Sequence, residues 1–185
     1  MPSTIPHPHL SLAPLVGLCA RAGRAMPEWS PVSPSGIPEP QRTLLVHARD
    51  MTRTLEQFHR GTIVLRVLSS GRTGAEYWRE SALEIEGSGR VVEFGAIQIF
   101  LERFPEPWRS LILQEQRPLG GLLNASGIPY VSAPSGYFRC LPDAFIRSAL
   151  RLADPAVGWL YGRQNTLTGA DGLPLAEIVE ILPPA

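Results

Sequence analysis

Cysteine is scarce in this 185-residue chain, with only Cys19 and Cys140, far apart in sequence. Two such thiols build no disulfide framework, and neither stands at metal-ligand spacing from His7, His9, His47 or His59, so no zinc site is indicated. That usage fits a reducing cytoplasm. Net charge is also lacking: 17 basic residues balance 17 acidic ones. No basic run follows the pattern of a phosphate-tracking surface, which argues against nucleic acid as the main partner. No apolar stretch reaches the length of a transmembrane helix, so no membrane partner is expected. The apolar segment 10–20 has no preceding Lys or Arg and is interrupted by Pro14, unlike a secretory signal. A Ser-His-Asp motif context, a Walker loop and a dinucleotide fingerprint are all missing, and Gly120-Gly121 is not a phosphate loop.

What is present is 44% apolar residues, enough for one substantial core and a single domain. Residues 1–39 read as a Pro-rich lead-in: 1–9 disordered, then a short amphipathic helix over Leu10–Leu18 ending near Gly23, then an extended loop over Pro27–Pro40. The domain proper spans 40–185. Helices are expected from Pro40 to Asp50, where Asp50 supplies capping chemistry, and from there to Gly61. Thr62–Leu68 reads as a strand closed by a Ser69-Ser70-Gly71 turn, followed by strands at 76–86 and 90–101 around the Gly87-Ser88-Gly89 hairpin. Gly95 marks a bulge or a close ligand approach. Helices are expected over 105–115, from Pro118 to Gly127 and over 142–152, with further strands at 137–141, 157–167 and 175–182. The sum is an α+β fold with a single antiparallel sheet of about six strands and helices packed against it.

Strict alternation in 76–86 places Tyr77, Arg79, Ser81, Leu83 and Ile85 on one face and Trp78, Glu80, Ala82, Glu84 and Glu86 on the other. The carboxylate-rich second face is expected to meet water, which aims Arg79 inward. A buried guanidinium without a partner costs on the order of several kcal/mol, so its surroundings must hold an anion. That anion is either a protein carboxylate or a ligand. Glu177 and Glu180 in the last strand are the protein candidates, and alternation alone does not choose between them. Arg139 and Arg163 read as surface or edge arginines whose stems cover aromatics. Gly120 and Gly121 read as turn or helix-packing residues, although a free N–H at a helix start can receive a carboxylate. His47 and His59 read as helix residues without a chemical role.

Several short pieces occur in a telling order: Asp50-Met51-Thr52, Tyr77-Trp78-Arg79-Glu80, Pro118-Leu119-Gly120, Tyr161-Gly162-Arg163, Gly172-Leu173-Pro174-Leu175 and Glu180-Ile181-Leu182-Pro183-Pro184. From about Pro40 to Pro184 the chain resembles the chorismate pyruvate-lyases, which remove pyruvate from chorismate to leave 4-hydroxybenzoate. The resemblance implies an antiparallel sheet with an internal ligand cavity, and neither a metal nor an organic cofactor. It implies that Arg79 holds the ring carboxylate with the N–H groups of Leu119 and Met51, while Glu180, with Glu177 as its rival, faces the ring hydroxyl. Two departures stand out. The family strand carries one more residue between Trp and Arg than Trp78-Arg79 does. A second arginine that follows a glycine in the next strand is Ala96 here, leaving Arg139 or Arg163 as its candidate replacements. The lyase reading takes a chorismate-like substrate. Its alternative is a non-catalytic domain that binds or senses an aromatic carboxylate, since the same fold serves in regulators, and a third is a structural protein in which Arg79 and Glu180 neutralise each other. The sequence does not choose between monomer and homo-oligomer.

Overall fold

The computed structural model describes residues 10–184; the expected disordered lead-in at 1–9 lies outside them. Segments rich in β-branched and aromatic residues pair into one sheet: β1 (Trp29–Val32), β2 (Ile63–Thr73), β3 (Glu76–Ile85), β4 (Val91–Phe100), β5 (Tyr130–Cys140), β6 (Leu160–Gly169) and β7 (Pro174–Leu182). Neighbours are antiparallel throughout, in the order β1-β5-β6-β7-β4-β3-β2. The helices are α1 (Ala13–Arg21), α2 (Gln41–Leu45), α3 (Met51–His59), α4 (Trp108–Leu113), α5 (Leu119–Ser126) and α6 (Ala144–Ala149). The α+β class is as expected, and the sheet has seven strands.

The additional strand comes from the segment whose proline, serine and glycine content marked it as an extended loop. Trp29–Val32 pairs with β5, and Pro31 is tolerated there because an edge strand needs hydrogen bonds on one side only. Ser69-Ser70-Gly71 is not a turn either. β2 runs through it to Thr73, and the chain reverses at Gly74, whose φ is 61°. Gly71 instead accommodates an aromatic neighbour: a Cβ there would lie 2.3 Å from the ring of its cross-strand partner Trp78.

Both faces of the sheet are covered, which corrects the expectation that Trp78, Glu80, Ala82 and Glu84 border water. Leu15 and Leu18 of α1 and Ile146 and Ala149 of α6 pack there with Ala82, Phe94, Ala96, Val179 and Ile181. The carboxylates stay on that face because arginines reach them. Glu80 is paired with Arg24 and accepts from Ser69 Oγ at 2.7 Å, while Glu84 is paired with Arg66 and with Arg151 at 3.1 Å. Alternation separates two faces, but it does not reveal what distant chain segments lay over them.

On the opposite face lie two apolar clusters. One joins Leu119, Leu122 and Leu123 of α5 and Ile112 of α4 to Ile97, Ile99 and Leu167, and the other joins Leu45, Met51 and Leu55 to Leu83, Val92 and Leu182. A cavity separates them.

Candidate functional site

The cavity floor is built from ladder rows. Arg79, Ile97, Ile178 and Asn165 form one row across β3, β4, β7 and β6; Ser81, Gly95, Glu180 and Arg163 form the next. The regular register sets Glu93 opposite Leu83, on the same side as Gly95, and shifts only beyond that pair, between Leu83 and Glu84. The bulge thus lies beside Glu93, not at Gly95, which forms part of the open floor. The N-terminal ends of α3 and α5, through Met51, Thr52, Pro118, Leu119 and Gly120, complete the lining. First-turn N–H groups of these helices have no intrahelical acceptor and carry the positive end of the helix dipole. The space inside is about 60 Å3. Asp50 and Tyr130 form the wall between it and an outer depression of about 340 Å3 lined also by Arg49 and Arg53.

Arg79 is 2% exposed and makes no ion pair among the described residues, and its buried Nε and Nη1 have no hydrogen-bond partner. Pairing with Glu177 or Glu180, the protein-partner alternative, does not occur. Burial pulls its pKa below the usual value, offset in part by Tyr77 and by Glu115. It nevertheless stays cationic at neutral pH, as arginine does throughout proteins. Glu115 is held off at a distance: the Tyr77 hydroxyl donates to it at 2.6 Å.

Glu180 is committed elsewhere. Its carboxylate accepts from Nε of Arg163, which is 0% exposed and also donates to the carbonyls of Leu45 at 3.2 Å and His47 at 3.0 Å. Arg163 is therefore no edge residue shielding an aromatic. Burial works against its charge, but the Glu180 carboxylate outweighs that and holds its pKa above the usual value. His47 follows α2 and joins this network, its Nδ1 lying 3.3 Å from Arg163 Nη1, so it is neither within the helix nor remote from the site. His59 ends α3.

Glu93, absent from the candidates read in the sequence, is 5% exposed, and its Oε2 lacks a partner. Burial first, then the charge of Glu180, pushes its pKa well above the ordinary 4.5. Its signal was available: it lies two residues before Gly95, on the face that Gly95 had already marked. With Arg163 and Glu180 cancelling, the lining holds one guanidinium without an ion pair, Arg79, and one further carboxyl group in the wall, Asp50.

The remaining candidates divide. Met51, Leu119 and Gly120 border the cavity. Glu177 points to the other side of β7, opposite Gln98 and Thr166, and does not line it. Arg139 is exposed, stacked 4.4 Å over Trp159 and bonded to Ser30 at 3.0 Å, away from the site. Ala96 is buried against α1, so in this register its position does not face the cavity, and an arginine there would enter the apolar core. Cys19 and Cys140 are buried free thiols. Among the described residues no group of three His, Cys, Asp or Glu side chains could hold a metal, and no helix is long and apolar enough to cross a membrane.

Two expected outcomes follow from this packing. Asp50 caps α3 by accepting from Arg53 N at 2.8 Å, and a Cβ on Gly120 would lie 2.1 Å from its Oδ2. Gly120→Ala, normally favourable within a helix, should here displace the cap and lower stability by about 1–2 kcal/mol in urea unfolding. A gain in stability would show that the contact is not tight.

The second concerns pH. The folded chain keeps the Glu93 proton above pH 4.5, where the unfolded chain has released it. Its contribution is thus fully present below the ordinary pKa and is lost as pH rises through the folded one. Asp50, Glu180 and Arg163 face it. Asp50 is itself raised, chiefly by burial. As pH rises above 4.5 the melting temperature of the wild type should fall relative to that of Glu93→Gln. A constant difference between the two would contradict a raised Glu93 pKa.

The fold, a single antiparallel sheet with helices packed on it, is the chorismate lyase-like fold expected from the sequence, and several solved structures, effector domains among them, share it. The effector domain of PhnF from Mycobacterium smegmatis superposes with a TM-score of 0.55 at 13% identity, covering 75% of this chain and 90% of that domain. The match to the longer PhnF structure covers 74% of this chain and 64% of that one, with a TM-score of 0.54 and 14% identity. YydK of Bacillus subtilis, described as a possible transcriptional regulator, gives 0.52 at 11% identity over 91% of this chain and 75% of its own. No family model and no curated protein matches the chain.

Proposed function

We propose that this domain binds, and by binding senses, a small organic anion whose carboxylate or equivalent group sits on Arg79. The observation that carries this reading is the buried guanidinium without an ion-pair partner, facing a cavity that also receives the N-terminal ends of α3 and α5. A planar carboxylate can accept two parallel bonds from such a guanidinium and further bonds from helix N–H groups. The shared fold with a domain described as an effector domain supports the same class of role.

The cavity's 60 Å3 is small against the roughly 150 Å3 that holds a benzene molecule. An aromatic acid therefore needs the Asp50–Tyr130 wall to shift and join the cavity to the outer depression. A short aliphatic acid needs less movement.

Removal of pyruvate from a chorismate-like substrate is the second reading, favoured by the presence of both Arg79 and Glu180 in one lining. Against it, Glu180 is engaged by Arg163 and is not free to face a ring hydroxyl. One experiment separates the two: isothermal titration of the purified protein with propionate, benzoate, 4-hydroxybenzoate and chorismate, alongside an assay of pyruvate release from chorismate. Saturable binding without pyruvate supports the sensor. Pyruvate formation supports the lyase, and no binding by any of the acids removes both.

A further inference from the structure

Five buried side-chain nitrogens and oxygens lack partners among the described residues, and those of two residues, Arg79 and Glu93, belong to the lining of one cavity. Arg79 is accounted for by an anion. Glu93 is not, and the apolar and ion-paired groups around it leave its Oε2 without a protein partner. A buried carboxyl with an unused oxygen costs free energy unless another group meets it. Resting on the anion-binding reading, we propose that Glu93 is a second recognition point, its carboxyl hydrogen-bonding a hydroxyl at the end of the ligand remote from Arg79.

The geometry favours a ligand with two separated polar ends. Arg79 stands opposite Ile97, and Glu93 lies four residues further along β4, on the same face. Standard strand spacings put their Cα atoms on the order of 14 Å apart. The two side chains shorten that gap from either end, leaving several ångströms for the ligand to bridge. Gly95 lies between them, and no side chain rises from it: Glu93 Oε1 is 3.4 Å and Ser81 Oγ 3.6 Å from where its Cβ would be. Carboxylates at both ends of a ligand are disfavoured, because Glu180 and Asp50 already act on Glu93 as like charges. The ligand class is therefore a hydroxy-substituted monocarboxylic acid, or an equivalent monoanion with a distal hydroxyl.

The test compares matched acids with and without that hydroxyl: 3-hydroxypropionate against propionate, and 4-hydroxybenzoate against benzoate, by titration calorimetry on the full chain. In the wild type the hydroxylated member of at least one pair should bind about tenfold tighter. Glu93→Leu should bring that ratio close to unity while leaving affinity for the unsubstituted acid in place. Glu93→Gln, which keeps a donor without a charge, should preserve most of the ratio, and melting temperatures confirm that both variants fold. Equal affinities within both pairs in the wild type overturn the proposal while leaving anion binding standing. So does a preference that survives Glu93→Leu. Failure of all four acids to bind the wild type overturns the anion-binding reading and this one with it.

Discussion

Arg79→Met is expected to stabilise the unliganded protein while abolishing anion binding. A residue 2% exposed whose guanidinium has no ion pair holds its charge at a cost. Replacing it with an apolar side chain of similar length should raise stability by about 2–4 kcal/mol. In a chain of this size that corresponds to a melting temperature higher by roughly 5–15 °C. Affinity for the tightest-binding acid should fall more than about a hundredfold, since a charge-assisted bidentate contact disappears. The opposite signs of the two effects are the informative part. A core arginine satisfied by the protein would lose stability on removal, so a lower melting temperature in Arg79→Met would place its partner within the chain.

Glu180→Leu should show the reverse on stability. Arg163 is fully buried, and the Glu180 carboxylate is its counter-ion. Removing that carboxylate strands the guanidinium and should cost about 3–5 kcal/mol. The double variant Glu180→Leu with Arg163→Met removes both charges and should recover most of the loss, because an ion pair and an apolar pair of similar volume differ little inside a protein. Denaturant unfolding of the two single variants and the double variant measures the coupling directly. Simple addition of the single losses would mean that the two side chains are not a pair.

Much of this arrangement could be read from residue order, for identifiable reasons. Period-2 alternation correctly put Arg79 and Ser81 on one face of β3, and the same parity separated Glu180 from Glu177 in β7. The helix starts at Met51 and Leu119 were visible because Asp50 and Pro118 are good chemistry for those positions. What alternation could not supply was company from distant segments. Arg163 reads as an edge residue because nothing local shows that the end of α2 and the residues after it fold over it and offer two carbonyls. Glu80 and Glu84 looked solvated for the same reason, their arginines coming from Arg24, Arg66 and Arg151. β1 was hidden by Pro31, which is acceptable only because the strand lies at an edge. Glu93 is legible in parity, but a single glutamate in a Val-, Ile- and Phe-rich strand stands out only once its depth is known.

The central claim is that the counter-ion of Arg79 is a ligand. A crystal structure of the complex with the tightest-binding acid of the titration tests it most directly. The expected result is a carboxylate within hydrogen-bond distance of Nε and Nη1 of Arg79, between the first turns of α3 and α5. An acid bound elsewhere, with Arg79 still facing only protein and water, would contradict it.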